Sequence, residues 1–149
     1  MIDLLEAPFD PAEALGAFNA QIAGAGAVVS FSGHVRPAAA SGPVKTLYLQ
    51  AYSPLTENGI REAVERAKAR WPLSAVRVIH RIGEMQPGEA IVFVAAASAH
   101  RRAAFEAADF LMDYLKTEAV FWKKETGTQG ASWIEPRTED YKDRARWGA

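Results

Sequence analysis

Two apolar stretches, residues 75–82 and 89–97, flank the turn-forming triplet Gln86-Pro87-Gly88, and that spacing predicts a long antiparallel hairpin. The second stretch, EAIVFVAAA, is apolar almost throughout, so it reads as a strand buried over nearly its whole length. Ser98 directly after it offers an N-cap for a helix running through Lys116, with Phe105, Ala108, Leu111, Met112 and Leu115 on the inner face.

The remaining elements are shorter. Asp10-Pro11 reads as an N-cap followed by proline at the first helical position, and Ala12, Leu15, Phe18 and Ile22 fall on one stripe. After the Gly24-Ala25-Gly26 break, residues 27–31 form a compact apolar strand that runs into Ser32-Gly33-His34-Val35-Arg36-Pro37. Residues 38–43, AAASGP, read as a flexible loop. Residues 44–52 alternate as a half-buried strand; Ser53-Pro54 then opens a helix whose stripe of Leu55, Ile60, Ala63, Val64 and Ala67 lasts to Trp71 before Pro72. The C-terminal tail, residues 138–149, is charged, ends near Trp147 and reads as flexible. A hairpin among alternating helices and strands points to an α+β class, a mixed sheet packed by helices. With 149 residues, 49% of them apolar, one domain spanning 1–149 can build its own core.

Composition narrows the chemistry. A formal net charge of −1 gives no global pull toward nucleic acid or an anionic membrane, so any anion site is local. No run approaches the roughly 20 apolar residues of a membrane span, and the acidic start MIDLLEAPFD is unlike a signal peptide, so a cytoplasmic protein is expected. Cysteine is absent, which excludes disulfides, thiolate metal sites and a cysteine nucleophile; if the reaction moves sulfur, something else must carry it. The three histidines, His34, His80 and His100, lack helical metal-pair spacing, and no metal or cofactor is expected.

Three constellations can bear chemistry. In Phe31-Ser32-Gly33-His34-Val35-Arg36 a strand ends on glycine and presents a guanidinium fork suited to phosphate or carboxylate; taken alone the motif is weak, and a solvated arginine closing a strand is the commoner reading. In Ser98-Ala99-His100-Arg101-Arg102 arginines crowd a helix N-terminus, where the dipole already favours an anion; pairing with Glu106 or Asp109 is the alternative. In residues 116–125, KTEAVFWKKE, Lys116, Lys123 and Lys124 surround Phe121-Trp122, and a lysine beside other cations and apolar rings has its charged form disfavoured. A lysine-decorated helix end would have the same composition. His80-Arg81, before the hairpin turn, reads as structural.

FSGHVR followed by HRIGEMQPGEAIVFVAAASAHRRAAFEAADFLMDYLKTEAVFWKKE resembles the large catalytic subunit family of molybdopterin synthase, from about Gly26 to Arg137. The resemblance implies an α/β-hammerhead fold with an additional antiparallel β subdomain, and a homodimer core of a heterotetramer. The partner it implies is a small ubiquitin-like β-grasp sulfur-carrier subunit with a thiocarboxylated C-terminal glycine. The implied reaction converts cyclic pyranopterin monophosphate, a pterin phosphate substrate, to molybdopterin by placing two sulfurs as a dithiolene. Lys116 and Lys123 match the family's essential lysines, and Arg36, His100, Arg101 and Arg137 match its anion-binding residues. Val35 lies within the first motif, and Lys124 and Glu125 adjoin the second lysine, so these join the expected substrate-binding set. His34 stands where lysine or another residue is common in the family.

If residues 98–116 are one helix, Arg101 and Lys116 lie fifteen residues apart, or about 22 Å along the axis. One small substrate cannot touch both. Either the helix breaks or the arginines and lysines of one pocket come from two copies of the chain, and the second is expected. Two rival readings use the same residues: a non-catalytic binding protein for a phosphorylated ligand or a partner's acidic tail, and an enzyme using Lys116 as a Schiff-base nucleophile.

Overall fold

The computed structural model describes residues 1–39, 42–127 and 130–148. Its first sheet is mixed, in the order β1 (Ile2–Leu5), β5 (Leu73–Arg81), β7 (Ala90–Ser98), β2 (Ala27–His34), with β1 parallel to β5 and the other pairs antiparallel. The predicted hairpin is the β5–β7 pair, and its turn is closed by Glu89 N–H donating to Gln86 O at 3.1 Å. Gly88 takes a φ of +92° there, a conformation that glycine adopts without a Cβ penalty. Buried Arg81 pins the base of the turn, donating to Glu89 Oε1 at 2.8 Å and to Glu84 O at 2.9 Å.

The central strand β7 is apolar throughout because both its faces are covered. Val92, Val94 and Ala96 face a core shared with α2 (Leu55–Arg70) and α3 (Arg101–Thr117). Phe93, Ala95 and Ala97 face the opposite side, where Phe18 of α1 (Pro11–Gln21) packs. Asp10 caps α1 as expected, accepting from Ala12 N–H at 2.9 Å.

A second, antiparallel sheet runs β3 (Ala38–Ala39), β4 (Gly42–Ala51), β8 (Phe121–Gly127), β9 (Gly130–Ile134), with β6 (Gly83–Met85) also on β4. Val35, Val44, Leu47, Leu49 and Met85 form its core. This is the expected α+β arrangement with its additional antiparallel β subdomain.

Several local expectations are corrected. Within the stretch read as a flexible loop, Ala38 and Ala39 pair with Pro43 and Gly42, while residues 40 and 41 lie outside the described residues. Ser98 does not cap α3: it ends β7, its hydroxyl donates to Pro72 O at 2.7 Å, and His100 occupies the N-cap position. Only the first two residues of the KTEAVFWKKE segment are a helix end: beyond Thr117 the chain turns, and residues 121–127 become β8, paired on both sides.

The tail read as flexible contains α4 (Thr138–Ala145), docked on α3. Arg146 reaches Asp109 at 3.1 Å and Asp113 at 2.9 Å, and Trp147 Nε1 donates to Asp113 at 2.6 Å. Its ring meets Trp71 and Phe110 edge-on. Alternating charges gave no hint of this, because the anchoring acids and rings lie far away in sequence.

Candidate functional site

Strand β8 and the last turn of α3 bring Lys116 and Lys123 to one place. Lys116 falls on the last turn of α3, and Lys123 is the third residue of β8, pointing to the same side as Phe121. Both line a cleft of about 210 Å³ together with Arg36, Arg137, Asp140 and Tyr141. Both also line a smaller cavity of about 80 Å³, walled by Phe31, Gly33, Leu49 and Met112. The lysine pair is therefore common to a polar, cation-rich cleft and a narrow, mostly apolar one.

Burial sets the state of these amines. Loss of hydration pushes Lys123 down to about 8 from 10.5, with the Lys116 charge adding to the shift and Asp140 opposing it. Lys116 is lowered for the same first reason, opposed by Asp140 and reinforced by Arg137 and Arg36. For Asp140 burial disfavours the charged form, but hydrogen bonds from Arg137 and the nearby cations outweigh it and hold the carboxyl below its ordinary range. Its Oδ2 accepts from Arg137 N–H at 2.9 Å and its Oδ1 from the Arg137 guanidinium at 3.2 Å, which fixes the arginine at the mouth of the cleft.

The other expected residues distribute unevenly. Arg36 and Arg137 join the lysines in the cleft. His34 lines the narrow cavity, its Nδ1 3.3 Å from Gly88 O. Val35 is in the core of the second sheet; its N–H donates to Glu89 O and its carbonyl accepts from Gly88, so its polar atoms are already engaged. Lys124 alternates to the opposite face of β8, 5.8 Å from the centre of the Trp133 ring, away from Lys123. Glu125 returns to the Lys123 face but borders a different, small depression beside Pro43 and Val44.

His100 and Arg101 are exposed at the far end of α3 and do not line the cleft. That helix is continuous from Arg101 to Thr117, which removes the possibility that a break brings the two groups together. Glu106 accepts from Trp71 Nε1 at 2.8 Å and Asp109 pairs with Arg146, so the acids expected as partners for the arginines are engaged elsewhere. No acid lies in the first turn of α3.

Sequence reasoning missed Asp140 and Tyr141, which reach the cleft only because α4 docks. It also set aside His80, whose ring is buried in the wall of the narrow cavity and stacks on Phe121 at 4.3 Å. Its position just before the hairpin turn carried no sign of this. Among the described residues no group of three or more His, Cys, Asp or Glu side chains could hold a metal ion. No described helix is long and apolar enough to cross a membrane.

A family model described as "MoaE protein" matches residues 4–118. A molybdopterin synthase catalytic subunit of Pseudomonas aeruginosa is 47% identical, over 98% of this chain and 97% of the relative. One of Caulobacter vibrioides is 48% identical over 99% and 97% respectively. The solved molybdopterin biosynthesis MoaE protein of Burkholderia ambifaria superposes with a TM-score of 0.84 at 38% identity, covering 100% of this chain and 98% of that one.

Proposed function

The chain belongs to the MoaE protein family, and from that premise we propose that it is the catalytic subunit of a cytoplasmic molybdopterin synthase, an enzyme of molybdenum cofactor biosynthesis. Its substrate is cyclic pyranopterin monophosphate, and its sulfur arrives as the thiocarboxylated C-terminal glycine of a small β-grasp partner. The observation that carries this reading is the lysine pair standing where a cation-rich cleft meets a narrow apolar cavity. The cleft suits an anionic phosphate, through Arg36 and Arg137. The cavity, with Gly33 in its lining, suits a thin tail without side chains.

The chemistry follows from the two groups that meet there. The thiocarboxylate sulfur forms a C–S bond to a side-chain carbon of the pterin as that carbon's C–O bond to the cyclic phosphate breaks, leaving the phosphate as a monoester and the pterin joined to the carrier as a thioester. Water then cleaves the acyl–sulfur bond, releasing the carrier as a carboxylate and leaving sulfur on the pterin. On the adjacent carbon a second loaded carrier forms the C–S bond with loss of that carbon's oxygen as water, and hydrolysis again releases the carrier as a carboxylate. Lys116 holds the thiocarboxylate tail against the substrate, and Lys123, poised near pH 8, donates a proton or supports negative charge as the cyclic phosphate opens. The absence of cysteine fits a subunit that never carries the sulfur itself.

His100 and Arg101 complete the anion site from a second copy of the chain, within a homodimer that binds one carrier at each end. Their distance from the lysines along an unbroken α3 supports this assignment.

Incubation of the purified protein with thiocarboxylated β-grasp partner and the cyclic pterin should yield the dithiolene, and absence of product overturns the reading. Lys123→Ala separates it from a non-catalytic binding role: turnover falls at least about a hundredfold while partner affinity stays.

A further inference from the structure

We propose that His80 is a positioning residue for the lysine pair, its Nε2 serving as the uncharged acceptor against which the Lys123 amine is held. The proposal deepens the reading in which Lys116 and Lys123 perform the chemistry, and rests on it. Three observations place the ring. Its Nδ1 lies 2.9 Å from Arg81 O, and a carbonyl can only accept, so the proton is on Nδ1. A neutral ring with that tautomer carries its lone pair on Nε2. The ring also stacks on Phe121 with an interplanar angle of 25°, and Phe121 shares its face of β8 with Lys123 two residues on. Finally, His80 lines the narrow cavity with Lys116 and Lys123, whose other walls are mainly apolar.

Burial keeps this acceptor uncharged: the ring is 3% exposed and is pushed down to about 3, first by lost hydration and then by the Lys123 and Lys116 charges, against the opposing bond to Arg81 O. The consequence concerns the type of support the lysine receives. A carboxylate in that position would fix the proton on Lys123 by forming an ion pair. An imidazole lone pair orients the ammonium yet lets the proton leave. The charged groups bearing on Lys123 are then Lys116 from α3 and Asp140 from α4, with Arg36 and Arg137 acting on Lys116.

The test compares His80→Phe, which keeps a ring against Phe121 but lacks Nε2, with His80→Gln, which restores an acceptor. Lysine side chains labelled with carbon-13 are titrated by NMR, Lys123 being assigned from its loss in Lys123→Met. In His80→Phe the Lys123 midpoint should fall by about half a pH unit or more, because its charged form has lost an acceptor. At the same time kcat should drop by about tenfold or more with KM for the cyclic pterin nearly unchanged. His80→Gln should recover both. A folded His80→Phe protein with an unmoved Lys123 midpoint overturns the proposal, whatever happens to kcat. If His80→Phe does not fold, the nitrogen-15 shift of His80 Nε2 decides: it should differ between the unaltered protein and Lys123→Met, and identical shifts overturn the proposal. The NMR readouts do not depend on turnover. Failure to form the dithiolene therefore counts against the functional reading alone, and an unmoved titration counts against His80 alone.

Discussion

Lys123 links stability to function at the scale of one residue. Its amine is held at about 8 in the fold against 10.5 in an unfolded chain, so between those values the unfolded chain binds more protons. Stability therefore rises with pH across that window, and the cost of burying the charge is present in full below it. Lys123→Met should raise stability at pH 7 by roughly 3 kcal/mol, since each pH unit between the folded and unfolded values is worth about 1.4 kcal/mol. The gain should vanish above the ordinary lysine range, and urea unfolding of both proteins at pH 7 and pH 11 checks it. The same residue predicts the activity profile. If Lys123 acts as an ammonium, single-turnover kcat falls as pH rises through about 8, and a rate that climbs there would assign it the role of base instead.

At the scale of elements, α4 is what turns a lysine pair into a cleft. It brings Asp140 and Tyr141 over Lys116, and Asp140 in turn orients Arg137. Its anchor is remote from the chemistry: Asp113, whose carboxyl is raised by burial although Trp147 and Arg146 both donate to it. Trp147→Ala removes one donor and two edge-on aromatic contacts, at 5.5 Å to Trp71 and 5.7 Å to Phe110. A loss of about 2 kcal/mol is expected. Hydrogen exchange should quicken through α4 while β7 stays protected, and KM for the cyclic pterin should rise more than kcat falls. Uniform loss of protection would mean that α4 unfolds only with the whole domain.

At the scale of the whole molecule, one chain holds half of the expected anion set beside the lysines and the other half at the far end of α3. Mixing an Arg101→Ala chain with a Lys116→Ala chain tests whether two copies complete each other. Heterodimers should regain about one intact site, so activity should return to roughly a quarter of the unaltered level after random exchange. Each variant alone stays inactive, and no recovery on mixing excludes a shared pocket. A close backbone approach bears on the same region: a Cβ at Gly26, just before β2, would collide with the Ala99 carbonyl, just before α3, so the contact that sets His100 and Arg101 in place requires glycine.

Periodicity and turn chemistry were enough for what is local. The hairpin around Gln86-Pro87-Gly88, the two-sided burial of β7, the Asp10 cap and the inner face of α3, except for Phe105, which is 58% exposed and lies off that face, all follow from residues within one element or its neighbour. The motif in residues 116–125 also carried Lys116 and Lys123 in plain sight, and Arg36 and Arg137 were legible in their own segments. What it could not carry was the environment. KTEAVFWKKE has the composition of a helix end, and from Phe121 onward it became a strand because β4 and β9 offered pairing partners from either side. His80, Asp140 and Trp147 acquired their parts only when β5, α3, β8 and α4 were packed together. Hydrogen-bond partners, desolvation and charge coupling depend on distance in space. A sequence sets which groups exist, and only the tertiary fold decides which of them lose water together.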